Sequence, residues 1–196
     1  MRRLVVLGLA GLLGACTGSE FADADARMTV DVGAAPTVGP ADAAVVFVEF
    51  ADFECPYCGL EEPVVRQLMA DYADRVLFVY KHFPLSFHPH ARLAAEASLA
   101  AQAQGQFWAY HDVLYANQDA LGRTALDGYA QSLGLDMTAF AAALDQHTEA
   151  PAVDADKAQG EALGVPGTPT FFINGRMGVG ALDYDVLAEV IDEELP

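Results

Sequence analysis

The sequence predicts an α/β fold: a mixed central sheet, helices on both faces, and an all-helical insertion between two half-sheets. Three observations carry this reading. An apolar, β-rich run at 44–50 leads through a turn into a helical stripe and then to a second apolar run at 76–81, the pattern of a βαβ unit. About 75 residues of Ala-rich, helical character follow. Two short strands around Asn174-Gly175 and a closing amphipathic helix then make a ββα unit.

Taken in order, the chain opens with Arg2 and Arg3 and an apolar stretch at 4–13. That stretch is too short to cross a bilayer and suits a signal peptide. It ends in Leu13-Gly14-Ala15-Cys16, which resembles the lipobox of bacterial lipoproteins. The resemblance implies a leader at 1–15, cleavage before Cys16 and a lipid anchor on that cysteine. The other reading is an ordinary leader cut near Ala15. Residues 16–40 are rich in Ala, Asp, Gly, Thr and Pro and read as a tether, with a short edge strand expected at 28–32. The domain proper is expected over 41–196, roughly 155 residues, enough for one core.

Within it, 44–50 is the central buried strand and Phe53-Glu54-Cys55-Pro56 is a turn. A helix is expected from Cys55 to Tyr72, striped by Leu60, Val64, Val65, Leu68 and Met69, with Pro56 in the first turn where a missing N–H costs nothing. The second strand covers 76–81 and is broken at 84–86. The insertion, about 86–163, is punctuated at Gly105, Gly122, Gly134 and Pro151, with Thr124 and Asp136 as expected N-caps. Strands at 169–173 and 176–179 flank the hairpin turn, and Asp183 opens a last helix carrying Val186, Leu187, Val190 and Ile191.

The formal charge is −18, from 28 acidic and 10 basic residues. That argues against nucleic acid and anionic lipid as partners, since both are held by Lys and Arg. The acid reads as a solvated surface. No later run is long and apolar enough to span a membrane, so any membrane contact is expected through the anchor alone.

There are three cysteines. With Cys16 lipidated, Cys55 and Cys58 remain, in a compartment where disulfides persist. A bridge between residues three apart closes too small a loop to staple a fold, so the pair reads as reactive. At a helix N-terminus, unpaired N–H groups and the helix dipole favour a thiolate at Cys55, and Cys58 lies one turn on where it can resolve a mixed disulfide. A copper(I) site, or half of a zinc site completed by His88 and His90, is the competing reading. No second Cys pair completes a tetrahedral set.

The stretch Glu49-Phe50-Ala51-Asp52-Phe53-Glu54-Cys55-Pro56-Tyr57-Cys58 resembles the active-site segment of the DsbA-like branch of the thioredoxin superfamily. Lys81-His82-Phe83-Pro84-Leu85, Gln106-Phe107-Trp108-Ala109-Tyr110-His111-Asp112 and Gly164-Val165-Pro166-Gly167-Thr168-Pro169-Thr170-Phe171-Phe172 resemble further family motifs in the same order. The resemblance implies a thioredoxin-like fold and a thiol–disulfide oxidoreductase. It implies that Pro169 is a cis-proline facing the cysteines. Thr168 and Pro169 would then position the substrate backbone, with Pro56 and Tyr57 beside them. It also implies that Glu49 moves the proton of the buried thiol, with Lys81 approaching Glu49. Tyr57 stands where some family oxidants carry His. His82, His88, His90, His111 and Trp108 read as packing or capping residues.

The expectation is a monomeric, exported enzyme on the periplasmic side of the envelope, donating disulfides to cysteine-containing exported proteins and recharged by a membrane redox partner. No cofactor or metal is implied. The rivals are a reductase or isomerase kept reduced by a membrane partner, and a peptide-binding or copper(I)-carrying thiol module.

Overall fold

The computed structural model describes Phe21 and residues 26–196. The expected leader at 1–15 and the expected lipid site Cys16 lie outside the described residues. No helix among the described residues is long and apolar enough to cross a membrane.

The fold is mixed α/β, thioredoxin-like. In chain order the elements are β1 (Thr37–Val38), β2 (Val45–Ala51), α1 (Pro56–Asp71), β3 (Val76–His82), five helices, and then β4 (Thr170–Ile173), β5 (Arg176–Val179) and α7 (Tyr184–Glu194). The five helices are α2 (Ala91–Gln102), α3 (Phe107–Tyr115), α4 (Arg123–Ser132), α5 (Met137–Asp145) and α6 (Ala150–Ala162). The sheet order is β1-β3-β2-β4-β5. β2 runs parallel to β3 and antiparallel to β4, which puts it at the centre with both edges paired. Its near-continuous apolar sequence follows from burial on both faces.

The register places Phe47 beside Phe78 and Glu49 beside Tyr80 on one face, and Val48 beside Val79 and Phe50 beside Lys81 on the other. On the first face, Val65 and Leu68 of α1 and Leu187 and Ile191 of α7 pack against Phe47, Phe78 and Phe171. A second cluster runs from Phe107, Tyr110, Leu114, Leu126 and Phe140 of the helical segment straight into Phe53, Tyr80, Cys55 and Cys58. The helices after β3 therefore build one wall of the cysteine site.

Two expectations need correction. Residues 28–32 form no strand. Met28, Val30 and Val32 are half-buried while Thr29 and Asp31 are exposed, so the alternation is real. Yet the segment lies as a strap against Val48, Phe172 and their neighbours, with Met28 N–H bonded to Gly175 O at 2.9 Å. Arg27 grips Glu194 at 2.7 and 2.8 Å, so this part of the expected tether is fastened to the domain. The edge strand is β1, paired with β3. Thr124 is not a cap: α4 starts at Arg123 with Gly122 at its N-cap. Asp136 does cap α5, accepting from Thr138 N and Ala139 N.

Candidate active site

The end of β2 delivers the site. Asp52 turns the chain, its carboxylate accepting from Glu54 N at 2.8 Å, Leu85 N at 2.8 Å and the His88 ring at 2.7 Å. Those bonds tie the active-site turn to the loop after β3. Phe53 is buried and stacks on Tyr80 at 5.2 Å. Cys55 is the N-cap of α1, in an extended conformation, with Pro56 opening the helix. A further clamp was invisible in the sequence: Gln118, beyond α3, donates to the carbonyls of Phe53 at 2.9 Å and Cys55 at 2.8 Å.

Both thiols are free and buried. They are displaced in opposite directions. The Cys58 thiol beside it, helped by Thr168 and the backbone N–H groups of Cys58 and Tyr57, holds Cys55 down to about 5 against the effect of burial. Burial first, then the hydrogen bond to Cys55 and the nearby Glu49, pushes Cys58 well above the ordinary thiol value. Cys55 Sγ lies 3.4 Å from the Thr168 carbonyl, and the Thr168–Pro169 peptide is cis. Tyr57, between the cysteines, is 61% exposed.

Glu49 sits behind this pair with 7% exposure. Burial, and then the negative charges of Glu61 and Glu62, push it up to about 8. Glu61 is a second buried acid, raised to about 7 mainly by burial; it accepts from Leu182 N at 2.9 Å while its other oxygen has no hydrogen-bond partner among the described residues. Tyr80 and Tyr115 meet hydroxyl to hydroxyl at 2.8 Å.

The expected approach of Lys81 to Glu49 is corrected. Lys81 is one residue past Tyr80 and so points to the opposite face, where its ammonium pairs with Asp156 at 2.8 Å. His88 and His90 do not complete a site with the cysteines either. His88 is bound to Asp52, and His90 is the N-cap of α2, its N–H donating to Glu54. Among the described residues, Glu62, His111 and Asp112 bring donor atoms within 4.8 Å of one another. Arg66 already bridges those two carboxylates, so the cluster is an ion-pair network with its cation in place.

A family model described as thioredoxin matches residues 31–193. The curated Na(+)/H(+) antiporter NhaA 3 of Salinispora tropica is 42% identical over 181 residues, which is 92% of this chain and 27% of that protein. The chain thus spans about a quarter of the length of such curated relatives. Among solved structures, a thioredoxin-like oxidoreductase from Silicibacter pomeroyi DSS-3 matches with a TM-score of 0.71 at 31% identity, over 81% of this chain and 91% of that one. The thiol–disulfide exchange protein α-DsbA2 of Wolbachia pipientis has the same fold, with a TM-score of 0.74 at 21% identity over 81% and 86% of the two chains.

Proposed function

The chain belongs to the thioredoxin family, and from that premise we propose that it is a thiol–disulfide exchange protein of DsbA-like kind that donates disulfides through Cys55 and Cys58. A substrate thiolate attacks Sγ of Cys55 in the oxidised form, and Cys58 leaves as a thiolate that takes a proton from Glu49. A second substrate thiolate then attacks the substrate sulfur of the mixed disulfide. Cys55 departs as a thiolate, leaving the substrate oxidised and the enzyme reduced. Pro56, Tyr57, Thr168 and Pro169 flank the sulfurs and hold the substrate backbone. A membrane redox partner then removes the two electrons.

The observation that carries this reading is the asymmetry of the two thiols, one held near 5 and the other far above. A stabilised leaving thiolate favours the reduced enzyme and hence disulfide donation. Alkylation of the reduced protein across pH tests it. Cys55 should react with an inflection near pH 5, while Cys58 stays unmodified to pH 9. A single inflection near the ordinary thiol value would remove the basis of the reading.

The same proposal exports the chain to the periplasmic side and anchors it at Cys16, supported by the basic start, the apolar stretch and the Leu13-Gly14-Ala15-Cys16 ending. Mass spectrometry of protein extracted from membranes should find acyl mass on an N-terminal Cys16. An unmodified Cys16 refutes the anchor. Cysteine-containing exported proteins are the proposed substrates.

A further inference from the structure

Each half-cycle of the proposed exchange moves one proton into or out of a buried site. Opening the Cys55–Cys58 disulfide leaves Cys58 needing a proton, and remaking the disulfide requires Cys58 to lose one. Glu49 can hold that proton but cannot by itself pass it to bulk water. It is 7% exposed, and its carboxyl has no hydrogen-bond partner among the described residues.

What Glu49 does have is a cavity of about 110 Å³, lined also by Glu62 and Arg66 of α1 and by His111 and Asp112 of α3. That volume holds several waters, and within a largely apolar wall Glu49, Glu62, Arg66, His111 and Asp112 offer them polar partners. His111 is itself buried at 6%. Its ring is fixed among aromatic neighbours, with centroids 4.8 Å from Tyr115 and 5.3 Å from Trp108. Nδ1 meets Asp112 Oδ1 at 3.0 Å, and Nε2 makes no hydrogen bond among the described residues. The side chain of Asp112 is 46% exposed, so the pair reaches from the cavity to solvent.

We propose that the protons of Glu49 enter and leave through this cavity, with His111 and Asp112 as the exit. The inference rests on the disulfide-exchange reading above. A cavity water takes the proton from Glu49 and passes it to Nε2 of His111. The proton on Nδ1 then goes to water at the exposed edge of Asp112, and the reverse sequence recharges Glu49. Asp112 holds the ring and is kept ionised by His111 first and by Arg66 next. The other titratable groups facing Glu49 are Cys58, Glu61 and Glu62 from α1, Tyr80 from β3 and Tyr115 from α3. Of these Glu62 also lines the cavity, and its carboxylate is held by Arg66. His111 is thus a positioning residue for the proton, acting through Glu49.

The test separates the two thiol steps during recharging by oxidised glutathione. Attack by Cys55 gives a glutathione mixed disulfide, and attack by Cys58 releases the second glutathione. In His111→Gln and in Asp112→Asn the first step should keep the wild-type rate. The second should slow about tenfold in dilute buffer. Added imidazole should restore it in proportion to its concentration, and the equilibrium potential should not move. Asp112→Asn is half exposed and keeps the test alive should His111→Gln fail to fold. A second step at the wild-type rate in both, or slowed yet indifferent to buffer at every pH, overturns the exit. Glu49→Gln tells the two readings apart. If Glu49→Gln slows the second step and the α3 variants do not, the exit alone falls. If Glu49→Gln leaves it unchanged, the proton role of Glu49 falls and the exit with it.

Discussion

Replacing Cys55 with serine is expected to bring disulfide exchange down to the uncatalysed rate, a loss of at least about 10³-fold. Replacing Cys58 with serine should act differently. Cys55 still sits at the N-cap of α1, beside the Thr168 carbonyl, and still attacks. Nothing then resolves the mixed disulfide, so covalent complexes with substrate accumulate on Cys55. Electrophoresis without reductant reads both outcomes: complexes for Cys58→Ser, none for Cys55→Ser. Equal activity in the two variants, or complexes formed through Cys58, would reverse the assignment of attacking and resolving thiols.

Glu49→Leu is expected to stabilise the protein and to cripple it. The carboxyl ionises at about 8 in the fold against a reference of 4.5. Between those values the folded state keeps a proton that the unfolded chain has released. Stability therefore falls as pH rises through that window, by up to about 1.4 kcal/mol per unit. Leucine removes the loss and fills the same apolar surroundings. The variant should match the wild type near pH 4 and exceed it by about 3–5 kcal/mol at pH 8, read from urea unfolding. Over the same range the Cys58-dependent step should slow about 10²-fold, because its proton carrier is gone. A variant no more stable than the wild type at pH 8 would mean that Glu49 is not the strained acid described.

What was legible in the sequence was local. The Cys-Pro-Tyr-Cys segment announced itself because a β-rich run, a turn and a helix start stand within a dozen residues. Asn174 and Gly175 announced a hairpin because both take positive φ, 46° and 86°. Lys81 was misread because its face depends on the parallel register of β2 and β3. A step of one residue moves a side chain across the sheet. Met28, Val30 and Val32 showed a strand's alternation, but only the packed structure supplies or withholds a pairing partner. Gln118 and Tyr115 reach the site from more than 50 positions away in the chain, with no motif at short range to mark them. His111 was read as packing, and it does pack. Its place on the cavity beside Glu49 emerges only when α3 folds back over α1 and β2.

The stabilised Cys55 thiolate should make the reduced protein the favoured form, so that disulfides flow outward to substrates. The equilibrium potential of the Cys55–Cys58 pair against glutathione at neutral pH measures this directly. The expected value lies above that of thioredoxin, about −270 mV, and below that of DsbA, about −120 mV, since Tyr57 brings no imidazole between the cysteines. The reduced protein should correspondingly resist denaturant better than the oxidised one. A potential at or below about −270 mV, with the disulfide form the more stable, would make the protein a reductant instead.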